Sequence, residues 1–135
     1  MKNFFKYHFL FYFFCLAIFI ESSFPSDDYP DLKFEFADKF VHMGIYFVLF
    51  LTAYFSFSNQ SKFLYLQRNP LLVAFLIVSV YGASDEIHQY FVPGRSCDIF
   101  DWIADVIGTA LGIVAILFIK KLLNKKKIKS LYDTN

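Results

Sequence analysis

The sequence is poor in the residues on which several common kinds of protein depend. It has 2 cysteines, 5 glycines and 4 prolines among 135 residues. Cys15 lies in an apolar run and Cys97 in a polar connection, so we expect no disulfide between them; isolated cysteines are most often small packing residues. The chain contains no phosphate-binding glycine loop, no dinucleotide fingerprint and no nucleophile elbow. The common classes of soluble enzyme therefore find no support in it.

Apolar residues are present in excess. The chain is 57% hydrophobic and 22% aromatic, with 20 phenylalanines, whereas a soluble domain is roughly 45–50% apolar. The surplus has to face lipid. The length allows one small domain, and there is no internal repeat or low-complexity tract. The composition predicts an all-α membrane protein.

Four apolar segments approach the ~20 residues that a helix needs to cross ~30 Å of hydrocarbon. The first, preceded by basic residues, also fits a secretory signal, but no small-x-small cleavage site follows it, so we predict that it is retained. After Lys120 the chain is rich in lysine, and we expect this part to be frayed. We predict a four-helix bundle over residues 1–119, with helices at about 4–20, 40–58, 70–90 and 100–119, and a basic cytoplasmic tail at 120–135.

The basic residues are unevenly distributed. Ten of the 13 fall at the helix ends that face one side of the predicted bundle, whereas Lys33, Lys39 and Arg95 share the other side with eleven of the 12 acids. Lysine and arginine near helix ends favour the cytoplasm, so we predict that both termini are cytoplasmic. The tail lysines are expected to lie against anionic lipid headgroups, and we predict no nucleic-acid partner.

Polar residues interrupt the apolar pattern between residues 85 and 112. A charged side chain deep in a bilayer costs about 2.5–3.5 kcal/mol and usually marks a function. Helix-length counting places acids and histidines of three helices in one layer, which predicts a polar cluster at the outer membrane–water interface. Asp101, Asp105, Gly108 and Gly112 form one helical stripe. The binding candidates are Asp38, His42, Asp85, Glu86, His88, Gln89, Arg95, Asp101 and Asp105.

Two local patterns predict how this region packs. The spacing Gly108-x-x-x-Gly112 permits a close approach of another helix. The segment Val92-Pro93-Gly94-Arg95 is typical of a turn. We expect this turn to fold Arg95 back over the acids, where its planar fork would either restrain them or bind a phosphate.

The chain resembles the VanZ-like family of small bacterial membrane proteins, which is named for an accessory protein of teicoplanin resistance. Two blocks carry the resemblance: Asp38-Lys39-Phe40-Val41-His42, and Ser84 to Gln89 continuing through Pro93-Gly94-Arg95 to Asp98, Asp101 and Gly108-Thr109-Ala110-Leu111-Gly112. Where many relatives carry Asn before the glycine, this chain has Asp105. The resemblance implies a multi-pass protein of the bacterial inner membrane, with these blocks as its functional surface and a link to glycopeptide resistance.

Our first functional hypothesis is an envelope protein that binds or modifies the headgroup of an outer-leaflet lipid or of a lipid-linked cell-wall precursor. If it catalyses a reaction, Glu86 or Asp105 is the candidate general base and Arg95 the anion stabiliser. Membrane lipids are its expected partners. A transport path is disfavoured, because residues 71–80 and 113–119 contain no ionisable group.

Two alternatives remain open. A metal-dependent membrane hydrolase or transferase would use the histidines and acids as ligands, but no H-x-x-x-H or H-E-x-x-H pair is present, so we predict no metal and no other cofactor. A structural partner protein would need an acid–Arg95 clamp only to hold its helices together. In that case Asp38 would cap its helix and His42 would be a packing residue.

Overall fold

The computed structural model describes residues 2–25 and 36–132, and all the regular structure in these ranges is helical. This confirms the predicted all-α class. Residues 26–35, most of the long connection predicted between the first two apolar segments, lie outside the described residues. The helices are α1 (Lys2–Tyr7), α2 (Phe9–Glu21), α3 (Ala37–Asn59), α4 (Leu64–Arg68), α5 (Pro70–Gln89) and α6 (Ile99–Tyr132).

Three of these helices, α3, α5 and α6, are long and apolar enough to cross a membrane. The bounds of α3 and α5 and the start of α6 lie within three residues of those predicted for the second, third and fourth segments. Pro70 occupies the start of α5, where its missing N–H costs nothing. Many large apolar side chains on these helices are exposed, including Leu76, Val80 and Val114. Such a surface is suited to lipid contact.

The first apolar segment differs from the single helix predicted over residues 4–20. It breaks at His8, whose Nδ1 lies 2.7 Å from Ser56 Oγ near the end of α3. The helix α2 that follows has 13 residues, fewer than the ~20 of a full span. At the opposite end, Ser23 Oγ lies 3.0 Å from His88 Nε2, so residues 8–23 run along the bundle from one end to the other. The count of four spans stays a prediction.

The expectation of a frayed tail was wrong. Helix α6 continues through the lysine-rich region to Tyr132 and has 34 residues, about 50 Å at 1.5 Å per residue. The physical reason is local, because residues 120–132 contain no glycine or proline and leucine and lysine are good helix formers.

Helix α3 packs closely against α6. A Cβ atom on Gly108 would overlap the backbone carbonyl of Met43, and one on Gly112 would overlap the ring of Phe50. The predicted close approach at this glycine pair is therefore confirmed. The core beside it includes Leu49, Phe50, Ala53, Ala74 and Val78, all fully buried.

Helix α5 is antiparallel to α3 and α6. Trp102 on α6 donates its indole N–H to the carbonyl of Ser79 on α5 at 3.0 Å, and Tyr81 donates its hydroxyl to the carbonyl of Cys15 at 2.6 Å. Near the end of α5, Glu86 lies close to His42 of α3 and accepts the N–H of Asp98, which directly precedes α6. Helix α5 therefore ends where α3 and α6 begin. The acidic residues that the structure describes on these three helices all lie toward this end, as does His42.

Candidate functional site

The centre of the candidate site is a trio of residues, one from each long helix. His42 Nδ1 on α3 forms a hydrogen bond of 3.0 Å with Asp105 Oδ1 on α6, and it lies 3.9 Å from Glu86 Oε1 on α5. Asp105 is 0% exposed and Glu86 is 3% exposed. The potential ligand atoms of the trio all lie within 4.8 Å of one another. The three side chains thus converge on one buried point.

The two buried acids are only partly satisfied by hydrogen bonds. Glu86 Oε2 accepts the backbone N–H of Asp98 at 3.0 Å. Glu86 Oε1 and Asp105 Oδ2 have no hydrogen-bond donor within residues 2–25 and 36–132. Asp105 Oδ2 has room because residue 82 is a glycine; a Cβ on Gly82 would lie 2.9 Å from this oxygen. Buried polar atoms usually have a partner, so these two oxygens call for an explanation.

A lysine with three acids lies beside the trio. Lys39 Nζ is 2.9 Å from Asp38 Oδ2, 2.7 Å from Asp98 Oδ2 and 2.7 Å from Asp101 Oδ1. Asp98 also accepts the N–H of Phe100 at 2.8 Å and so caps the start of α6. The hydrogen bond from Lys39 holds the pKa of Asp98 below its ordinary value. One cation therefore links α3 to the start of α6.

Asp85 belongs to a neighbouring hydrogen-bond chain. Its Oδ2 accepts the Tyr46 hydroxyl at 3.4 Å and the Gln89 amide at 3.3 Å. Arg95 in turn donates to Gln89 Oε1 from Nη2 at 2.7 Å and from Nε at 3.3 Å. Asp85, Gln89 and Arg95 are thus connected in series.

The turn predicted at Val92–Arg95 is confirmed. Arg95 N donates to the carbonyl of Val92 at 3.1 Å, and Gly94 has a φ of 76°, which favours glycine. We expected this turn to place Arg95 over the acids. In the structure its guanidinium donates to Gln89, whereas Lys39 forms the ion pairs with Asp38, Asp98 and Asp101.

His88 lies apart from the trio. Its ring stacks on Phe19 with 4.8 Å between centroids, and its Nε2 meets Ser23 Oγ. This candidate therefore faces the N-terminal segment. Of the predicted site residues, the structure brings His42, Glu86 and Asp105 together, Asp38 and Asp101 around Lys39, and Asp85, Gln89 and Arg95 into one chain.

A groove of about 500 Å³ runs between α3 and α6 beside Lys39 and the acids that surround it. Its polar end is formed by Lys39, Asp38 and Asp98, and its apolar walls include Met43, Ile103 and Ile107. The charged residues of the groove thus lie at one end, together with Phe36 and Phe100, and the rest of its lining is apolar.

Sequence reasoning missed several residues of this region. Lys39, Tyr46 and Gly82 were not among the candidates. Signals for all three are present, because Lys39 and Tyr46 lie three residues before and four after His42, and Gly82 lies four before Glu86. Residues three or four apart share a helix face.

Fold and site together define a helical membrane protein with a buried histidine–carboxylate trio at one end of its three long helices. The model of the VanZ/LLP1 family matches residues 2–120. The chain therefore belongs to the VanZ/LLP1 family, as the resemblance implied. It is also similar to "Uncharacterized protein C11E3.10" of Schizosaccharomyces pombe, with 29% identity over 102 residues, which cover 74% of this chain and 59% of that protein. No solved structure matches the chain.

Proposed function

We propose that this protein binds the headgroup of an outer-leaflet membrane lipid in the groove between α3 and α6. The observation that carries the proposal is the division of the groove into a polar end at Lys39 and apolar walls at Ile103 and Ile107. A phospholipid has the same division. Its headgroup would meet the polar end, and an acyl chain would lie along the walls.

The charges at the polar end favour a headgroup that carries an amine. Three acids surround the single ammonium of Lys39, so negative charge is in excess. Asp38 and Asp98 have side chains 54% and 32% exposed, and their oxygens are accessible to an ammonium donor. Ethanolamine phospholipids satisfy this condition better than purely anionic lipids.

The similarity to a fission-yeast protein also bears on the ligand. A phospholipid occurs in bacteria and fungi alike, whereas a bacterial cell-wall precursor does not. We therefore place the phospholipid ahead of the lipid-linked precursor. The outward direction of this end, the cytoplasmic termini and the bacterial inner membrane form part of the proposal, and they rest on the one-sided distribution of basic residues.

The test is to fill the groove without disturbing its polar end. Ile107 lines the groove and is 44% exposed, whereas Leu117, on the same helix, is 51% exposed and outside it. Protein purified in mild detergent would be analysed by native mass spectrometry for bound phosphatidylethanolamine and phosphatidylglycerol. We expect wild type and Leu117→Trp to retain phosphatidylethanolamine and Ile107→Trp to lose it. Equal retention by both variants, or a preference for phosphatidylglycerol, would contradict the proposal.

A further inference from the structure

We propose that His42, Glu86 and Asp105 bind a divalent transition-metal ion. This site is separate from the lipid groove and does not depend on the proposed lipid function. Two independent observations support it, namely the convergence of three ligand types from three helices and the two buried carboxylate oxygens that lack a donor among the described residues.

Two of the three ligand separations already fit a single ion, and the widest separation in the trio is within 4.8 Å. Zinc binds histidine nitrogen at about 2.0–2.1 Å and carboxylate oxygen at about 2.0–2.2 Å, so two ligands of one ion lie at most ~4 Å apart. His42 Nδ1 is 3.0 Å from Asp105 Oδ1 and 3.9 Å from Glu86 Oε1. Side-chain movements of about 1 Å or less would bring all three ligand atoms within bonding distance of a shared centre.

A cation bound by Glu86 Oε1 and by both oxygens of Asp105 would also account for the unsatisfied oxygens. Leaving a buried acceptor without a donor costs about 1–3 kcal/mol, and more when it is charged. Glu86 Oε1 and Asp105 Oδ2 are both in this state within the described part of the chain. Glu86 Oε2 meanwhile accepts the Asp98 N–H at 3.0 Å, and hydrogen bonds to a ligand's other atom orient ligands in this way in metal sites.

The ligand set indicates the class of metal. Imidazole suits zinc and iron, and carboxylates suit manganese and other hard ions. Calcium takes 6–8 oxygen ligands, which this trio does not provide. In binding a metal, Nδ1 of His42 gives up its hydrogen bond to Asp105. A neutral imidazole does so by carrying its proton on Nε2, and a doubly protonated one releases a proton.

Three protein ligands leave at least one coordination position open. In zinc enzymes such a position holds water or substrate. A water molecule or a phosphate oxygen would fit the same role here.

The experiment uses tag-free full-length protein in detergent, stripped with a chelator and then equilibrated with Zn²⁺, Co²⁺ or Ca²⁺. We expect one tightly held Zn²⁺ or Co²⁺ ion per chain, a visible absorption band from bound Co²⁺, and no comparable binding of Ca²⁺. Changes in outer-shell residues weaken metal binding by about 10–100-fold, so loss of a direct ligand in Glu86→Gln or Asp105→Asn should weaken it at least tenfold.

Two controls keep the result interpretable. Glu86→Gln retains an oxygen for the Asp98 N–H, so its helical content should remain that of wild type. Asp85→Asn changes a buried acid outside the trio and should bind metal normally. Absence of bound Zn²⁺ and Co²⁺ in wild type, or equal affinity in all variants, would overturn the metal site. The Ile107→Trp variant separates the two proposals. If it loses lipid but binds Co²⁺ normally, the substitution has affected only the groove. If it retains lipid and binds Co²⁺ normally, the lipid function is refuted and the metal site is not.

Discussion

The contact between α3 and α6 at Gly108 allows a quantitative test of the packing. Gly108→Ala adds one methyl group, which would overlap the backbone carbonyl of Met43. A backbone atom cannot rotate away as a side chain can, so the helices have to separate. Gly44→Ala is the matched control, because a Cβ at Gly44 meets nothing within 4 Å.

The expected magnitudes follow from two opposing effects. Replacing glycine by alanine inside a helix stabilises it by roughly 0.5–1 kcal/mol. Adding a methyl group to a tightly packed contact costs about 1–3 kcal/mol. We expect Gly44→Ala to leave the free energy of unfolding unchanged or raised by up to about 1 kcal/mol, and Gly108→Ala to lower it by up to about 2.5 kcal/mol.

The assay is reversible unfolding in mixed micelles, with helical circular dichroism followed as the fraction of denaturing detergent rises. Both variants and the wild type would be measured in the same detergent series. A free energy of unfolding for Gly108→Ala equal to that of Gly44→Ala would show that α3 and α6 do not approach at this glycine, and would refute the packing argument.

Two further predictions concern the site and the topology. Gly82→Ala would place a Cβ 2.9 Å from Asp105 Oδ2, so we expect weaker Co²⁺ binding with unchanged helical content; unaltered affinity would contradict the role assigned to Gly82. Cys97 is exposed whereas Cys15 is half-buried, and we expect a membrane-impermeant thiol reagent to label Cys97 in intact cells whose outer barrier admits it. Labelling of Cys97 only after lysis would reverse the proposed orientation.

Much of the helical organisation could be predicted from hydrophobic runs and their ends. Pro70 marks the start of α5 correctly, and the glycine stripe predicts the α3–α6 contact. The break at His8 could not be predicted, because it accompanies a contact with Ser56, which is remote in sequence. The helical tail was misjudged because charge was weighed above the propensities of lysine and leucine.

The candidate site was only partly predictable. Counting residues from the helix ends placed His42, Glu86 and Asp105 at one level, and their side chains are close together in the structure. It was harder to predict which basic residue pairs with the acids. Arg95 follows a turn that the sequence identifies, but the direction of its side chain depends on the acceptor at Gln89. Lys39 meets acids that are distant in sequence, and only packing brings them together.

The proposed metal site has no sequence motif, because its candidate ligands are distributed one to a helix. Motifs such as H-E-x-x-H place two ligands on one helix face, so a single sequence reveals them. His42, Glu86 and Asp105 come from three helices, and their meeting requires the helices to be packed. Met43, which follows His42, is the residue that contacts Gly108, three residues beyond Asp105. A methyl group at Gly108 that pushes α3 away from α6 therefore also separates His42 from Asp105. Packing at the glycine and formation of the trio are thus physically coupled.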